Sequence, residues 1–188
     1  QKTAYEIKEC DWSSDVCSSD LMDDLNSASI GVEIVNPGHD GGLPPFHDAQ
    51  IEAVIALCQD ICARRNIVPE RVLAHSDIAP ARKIDPGEKF PWDRLAARGV
   101  GHWVEPAPII PGPRLAKGDM GPDVAALRAA LSIYGYGLEI TVDYDNDIKS
   151  AVAAFQRHFR PANVDGVADV STRDTLRRLI AALPQRVA

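Results

Sequence analysis

Apolar positions recur along this chain in two rhythms. In Ser29–Val35 (SIGVEIV) they alternate, with Ile30, Val32 and Ile34 on one face and Ser29, Gly31, Glu33 and Val35 on the other. A period of two predicts a short strand, and it sets the Glu33 carboxylate inside an apolar run. The stretch that follows, Asn36–Pro45 (NPGHDGGLPP), is dense in turn formers and predicts a loop. From Phe46 to Asn66 the period changes. Ile51, Val54, Ile55, Cys58, Ile61 and Cys62 form one stripe at helical spacing, with His47 or Asp48 near its start and Arg64–Arg65 suiting the C-terminal end of the dipole. A short strand, Val72–Ala74, leads into His75–Trp92 (HSDIAPARKIDPGEKFPW), which is too rich in proline to be regular, and Asp93–Arg98 predicts a short helix.

Glu105–Arg114 contains PAPIIPGP, which predicts a stiff extended spacer and marks a domain boundary. Beyond it the helical rhythm returns three times. Asp119–Leu131 carries Val124, Leu127 and Leu131 on one side, with Pro122 in the first turn. Ile148–Phe159 carries Val152, Phe155 and Phe159; Ser171–Leu183 carries Leu176, Leu179, Ile180 and Leu183, with Ser171 or Thr172 as its cap. Asp143–Asp147 (DYDND) has Ile148 where a calcium loop needs glycine, so its expected role is to cap the helix that follows.

Residues 1–21 show no period. Gln1–Glu6 back-translate to CAG AAG ACG GCA TAC GAG, and Asp11–Asp20 to GAC TGG AGT TCA GAC GTG TGC TCT TCC GAT. These strings resemble the two fixed halves of an indexed sequencing adapter, with Ile7–Cys10 in place of the index. The segment is therefore read as translated adapter, disordered and outside the fold. Cys10 and Cys17 drop out with it. The remaining pair, Cys58 and Cys62, lies i,i+4 on one helix face, where thiols pack as small apolar groups.

Composition narrows the function. A net charge of −7 over 188 residues excludes a non-specific nucleic-acid binder, and no apolar run is long enough for a membrane span. The richest chemistry lies between His75 and Asp85. Positions 83 and 85 project to one side of an extended stretch, and a turn through Ala79–Pro80 brings them back towards His75. An imidazole and a carboxylate suit zinc, Lys83 supplies positive charge for an oxyanion, and Glu33 could take a proton from water. Ten-residue spacing of His and Asp is also common among surface and capping groups. His39, in its glycine-rich loop, is either exposed or a surrogate ligand or substrate contact. His47, His102 and His158 read as surface or edge residues.

Asn26–Pro106, through SIGVEIVNPG and LAHSDIAPARKIDPGEKFPW, resembles the zinc-dependent N-acetylmuramoyl-L-alanine amidases of type 2, relatives of the peptidoglycan-recognition proteins. The resemblance implies an α/β amidase domain, a central mixed β-sheet flanked by helices, over residues 22–106. It implies His75 and Asp85 as zinc ligands, Lys83 as the group that stabilises the tetrahedral intermediate and Glu33 as general base. In that family the first zinc ligand is a His from a strand upstream of the IGxE motif. Only Met22–Ala28 lie between the adapter-like segment and the motif, and none is His. A polypeptide of this sequence is therefore expected to bind zinc weakly and to be essentially inactive, although its parent is an amidase.

After a Pro-rich linker at 107–114, residues 115–183 resemble the three-helix peptidoglycan-binding domain through LAKGDMGPDVAALRAAL, YDNDIKSAVAAFQRHF and DGVADVSTRDTL. Asp169 stands where that family has glycine. The implied partner is peptidoglycan or a soluble muropeptide, and the implied location is the periplasm or cell envelope, with a cytoplasmic recycling role as the alternative. The competing reading is a non-catalytic peptidoglycan-binding or sensing protein. Retention of His75, Lys83 and Asp85 together speaks against it.

Overall fold

A computed structural model describes residues 27–184. The adapter-like segment lies outside the described residues. Among the described residues six α-helices follow in chain order: α1 (Asp48–Arg65), α2 (His75–Ile78), α3 (Trp92–Ala96), α4 (Pro122–Tyr134), α5 (Asn146–Phe159) and α6 (Val170–Ala181).

The helical module is built as its periodicity requires. Ile148, Val152, Phe155 and Phe159 of α5 are all buried, and they close on Val124, Leu127 and Leu131 of α4 and Leu176 and Leu179 of α6. Burying side chains of this size contributes roughly 1.5–3 kcal/mol each. Pro122 opens α4. Asp145 caps α5 by accepting from the amides of Asp147 and Ile148, the role expected of DYDND. The cap of α6 differs from expectation. Asp169 takes it, accepting from the Thr172 amide at 2.7 Å, while Ser171 and Thr172 lie buried inside the helix. A carboxylate just ahead of the first turn outcompetes the hydroxyls because it also meets the helix dipole.

Two distant sequence elements prove to be one unit. Gln156, fully buried on α5, accepts from the amides of Asp165 (3.0 Å) and Gly166 (2.8 Å) and donates to the Val167 carbonyl (2.9 Å). The AVAAFQ and DGVADVST segments are thus joined by a side chain that substitutes for a strand partner. Gly166 has φ +68°, and a Cβ there would come within 3.0 Å of the Lys149 carbonyl oxygen, so the turn admits glycine alone. Buried Arg128 of α4 plays a similar part, donating to the carbonyls of Asp143 and Glu139 and pairing with Asp145.

In the N-terminal segment the expected central sheet is not seen among the described residues. Among the described residues no β-strand forms, and the isolated bridges, Leu115 with Ala168 and Met120 with Asp143, both lie in the helical module. Ser29–Val35 and Val72–Ala74 carry no strand assignment. A strand is completed by a neighbour's backbone, which periodicity in one segment does not provide. Consistent with this, Ile30, Val32 and Val35 stand exposed. What does form is a small core under α1: Ile51, Val54 and Ile55 pack with Phe90, Trp92, Leu95 and Val100, and Cys58 joins its edge. Trp103 packs against both cores and so links the two regions.

The proline-rich strap is irregular, as its composition predicts, but it is docked. Ala107 is buried, its amide donates to Thr175 Oγ1 at 2.9 Å, and its carbonyl accepts from Ser171 Oγ at 2.6 Å. Further on, Arg173 donates to the Pro113 carbonyl. The spacer lies along α6.

Candidate functional site

His75 opens α2, a four-residue helix, although proline content predicted an irregular segment there. The chain then turns through Ala79, whose carbonyl accepts from the amides of Arg82 and Lys83. This brings Asp85 back beside His75. His75 Nδ1 lies 2.9 Å from Asp85 Oδ2, and the Ser76 amide donates to the Asp85 carbonyl at 3.1 Å. Ten residues apart in sequence, the two side chains meet at the surface, with His75 at 19% exposure and Asp85 at 61%. Because a carboxylate only accepts, the ring proton of the pair sits on Nδ1.

A second loop closes against this one. Leu43 is buried, and its amide donates to the Gly38 carbonyl. Gly87, at φ +87°, lets the loops approach: a Cβ there would fall 3.0 Å from Leu43 Cδ1 and 3.2 Å from His39 Cε1. His39 Nε2 lies 2.9 Å from Glu88 Oε2. Burial raises the Glu88 pKa, but its own backbone amide, the His39 contact and the charge of Arg157 outweigh it and hold the carboxyl below its ordinary range. His39, Asp40, Ile84, Asp85 and Pro86 line a cleft of about 200 Å³. Lys83 is half-buried in the turn before Asp85, and Glu33 is exposed on the extended run.

Sequence reasoning missed Asp77 and misjudged His158. His158 is buried, not at a surface or edge. Its ring stacks on Trp92 (centroids 3.9 Å apart) and on Phe159 (3.8 Å). His158 Nδ1 donates to Asp77 Oδ2 at 2.6 Å, Tyr136 Oη donates to Asp77 Oδ1 at 2.7 Å, and the Ala74 amide donates to Oδ2 at 2.8 Å. Burial pushes the Tyr136 phenol well above the usual tyrosine range, and the adjacent Asp77 charge adds to it. An acid three residues after Ala74, at the third position of a helix, was a signal for capping; its partners 59 and 81 residues away left no local trace. His102 is partly buried, bonded to Tyr134 Oη at 2.8 Å, and His47 is exposed ahead of α1.

As a metal centre the site is half complete. His75 and Asp85 offer the imidazole and carboxylate that zinc accepts, but a catalytic zinc takes three protein ligands. Among the described residues no group of three His, Cys, Asp or Glu side chains is placed to hold a metal ion.

Comparison with known proteins defines a class. Residues 2–88 match the N-acetylmuramoyl-L-alanine amidase family, a span that begins inside the adapter-like segment, and residues 120–176 match the "Putative peptidoglycan binding domain". The chain belongs to the type 2 N-acetylmuramoyl-L-alanine amidase family and carries a peptidoglycan-binding domain on its C-terminal side. It is 40% identical over 162 residues to the N-acetylmuramoyl-L-alanine amidase AmiD of Escherichia coli, covering 83% of this chain and 58% of that relative. A solved AmiD complex with the substrate anhydro-N-acetylmuramic acid-L-Ala-D-gamma-Glu-L-Lys aligns at TM-score 0.60 and 38% identity, covering 73% of this chain and 53% of that one. AmpDh3 of Pseudomonas aeruginosa aligns at TM-score 0.70 and 35% identity, over 87% of this chain and 66% of its own. The chain thus spans a little over half the length of the curated relative. Among the described residues no helix is long and apolar enough to cross a membrane.

Proposed function

We propose that this chain carries part of the catalytic domain, and the wall-binding module, of a zinc hydrolase that cleaves the amide between the lactyl group of N-acetylmuramic acid and L-alanine in peptidoglycan or muropeptides. The observation that carries this reading is the 2.9 Å approach of His75 Nδ1 to Asp85 Oδ2. A purely sugar-binding surface has no use for an imidazole and a carboxylate converging on one point. Zinc, when bound, polarises the scissile carbonyl and lowers the pKa of water. His75 and Asp85 would be two of its ligands. Lys83 presents its ammonium to the oxyanion that develops on the carbonyl. Glu33 accepts the proton of the attacking water and returns it to the leaving amine. Cell-wall polymer is the partner of the helical module, where a groove of about 280 Å³ opens between α4 and α6. That module raises the local concentration of substrate, and the envelope is the compartment where it has a polymer to hold.

Among the described residues no third ligand joins His75 and Asp85, so the 188-residue polypeptide is expected to cleave anhydro-muropeptide only at trace level. A chimera bearing the N-terminal portion of the E. coli relative ahead of Asn26 should gain zinc-dependent release of the L-alanyl peptide, read by mass spectrometry, and His75→Ala should abolish it. A chimera that binds one zinc per chain yet leaves the amide intact would overturn the proposal.

A further inference from the structure

We propose that the helical module positions the amidase site through Asp77: His158 and Tyr136 hold this carboxylate, and through α2 it sets where His75 meets Asp85. The functional weight of this inference rests on the reading above; the geometry does not.

α2 has four residues, far below the length at which a helix holds itself. Its first amides need partners, and Asp77 turns back to take that of Ala74. The Asp77 side chain is only 6% exposed. A buried carboxylate persists only when its oxygens are satisfied, and two of the hydrogen bonds that satisfy this one come from the other module, one from His158 of α5 and one from Tyr136, two residues past α4. Both donors are fixed. The His158 ring is clamped between Trp92 and Phe159, and Tyr136 is buried in the helical core. From Asp77 the constraint runs along a single turn. His75 precedes it by two residues, and the Ser76 amide between them holds the Asp85 carbonyl. The side-chain pair and the backbone tie therefore both depend on the orientation of α2. Asp77 is accordingly a positioning residue, and the helical module serves as a rigid wall of the site as well as a tethered binding unit.

The test is native-state hydrogen exchange on the full 188-residue chain without metal or substrate, so that its outcome is independent of whether the chain is an amidase. The reporters are the Ser76 and Ala79 amides, which are bonded to the Asp85 and His75 carbonyls. His158→Leu and the isosteric Tyr136→Phe should each speed their exchange roughly ten- to hundredfold, the range expected for losing one charge-assisted hydrogen bond. Protection across α5 should persist in Tyr136→Phe. His158→Asn, whose amide nitrogen can take the place of Nδ1, should restore slow exchange. Thr175→Val, which removes one of the ties between the strap and α6 without touching Asp77, should leave both amides unchanged. Wild-type exchange in both His158→Leu and Tyr136→Phe would overturn the proposal. So would equal acceleration by Thr175→Val, or failure of His158→Asn to rescue.

Discussion

The two halves of this molecule are built on opposite terms. The helical module closes its core from three successive helices and the turns between them, with fourteen buried apolar residues whose spacing is visible in the chain. The amidase half has one long helix, two short ones and a core of eight buried residues, and it leaves Ile30, Val32 and Val35 facing outward. The difference is one of range. A helix satisfies its own backbone, so a local pattern suffices to form it. An extended segment needs a neighbour that the pattern does not name. The site sits in the half that cannot close itself, and its short helix α2 is steadied by the half that can.

Removing a side chain from the self-sufficient core should have the largest effect. Phe155→Ala, at a fully buried position, is expected to cost about 3–5 kcal/mol in urea denaturation, lowering the midpoint for all three helices of the module together. A smaller effect is expected at Asp145. Burial raises its pKa, but the Ile148 and Asp147 amides and Arg128 outweigh burial and hold it below its ordinary value of 3.8. A carboxyl depressed in this way contributes stability that is present above pH 3.8 and lost as pH falls through the folded value. Asp145→Ala should cost about 1 kcal/mol at neutral pH through the lost cap, and its stability should then fall less steeply than wild type below pH 3.8. At the other end of the scale, Val35→Thr, at a position 90% exposed, should change stability by less than about 0.5 kcal/mol. A clear loss there would mean that the extended run is buried in solution, and the contrast between the halves would dissolve.

Legibility in the sequence follows the same divide. α1, α4 and α5 were readable because each carries its stripe and its terminal signals within one window. The Asp145 cap was readable for the same reason. The Asp169 cap was lost among neighbouring hydroxyls, since residue type alone does not say which oxygen faces the amides. His158 looked like a surface residue because what buries it, Trp92 and Asp77, lies 66 and 81 residues upstream. The expected sheet is not seen among the described residues, because one extended run does not name the neighbour it pairs with. At the site, spacing alone left His75 and Asp85 ambiguous, and the family resemblance singled them out. Their meeting depends on the turn after Ala79, which proline content suggested without specifying. The docked strap was invisible because Ala107 has no side chain to signal Ser171 and Thr175.

The claim on which the functional reading turns is that His75 and Asp85 share a cation. It is tested most directly by following all five histidine rings of the 188-residue chain by nitrogen-15 NMR while zinc is added. The account predicts that the His75 ring resonances move first, with weak affinity, and that Asp85→Ala removes the response. Zinc-dependent shifts confined to other histidines, with His75 unmoved at saturation, would contradict it.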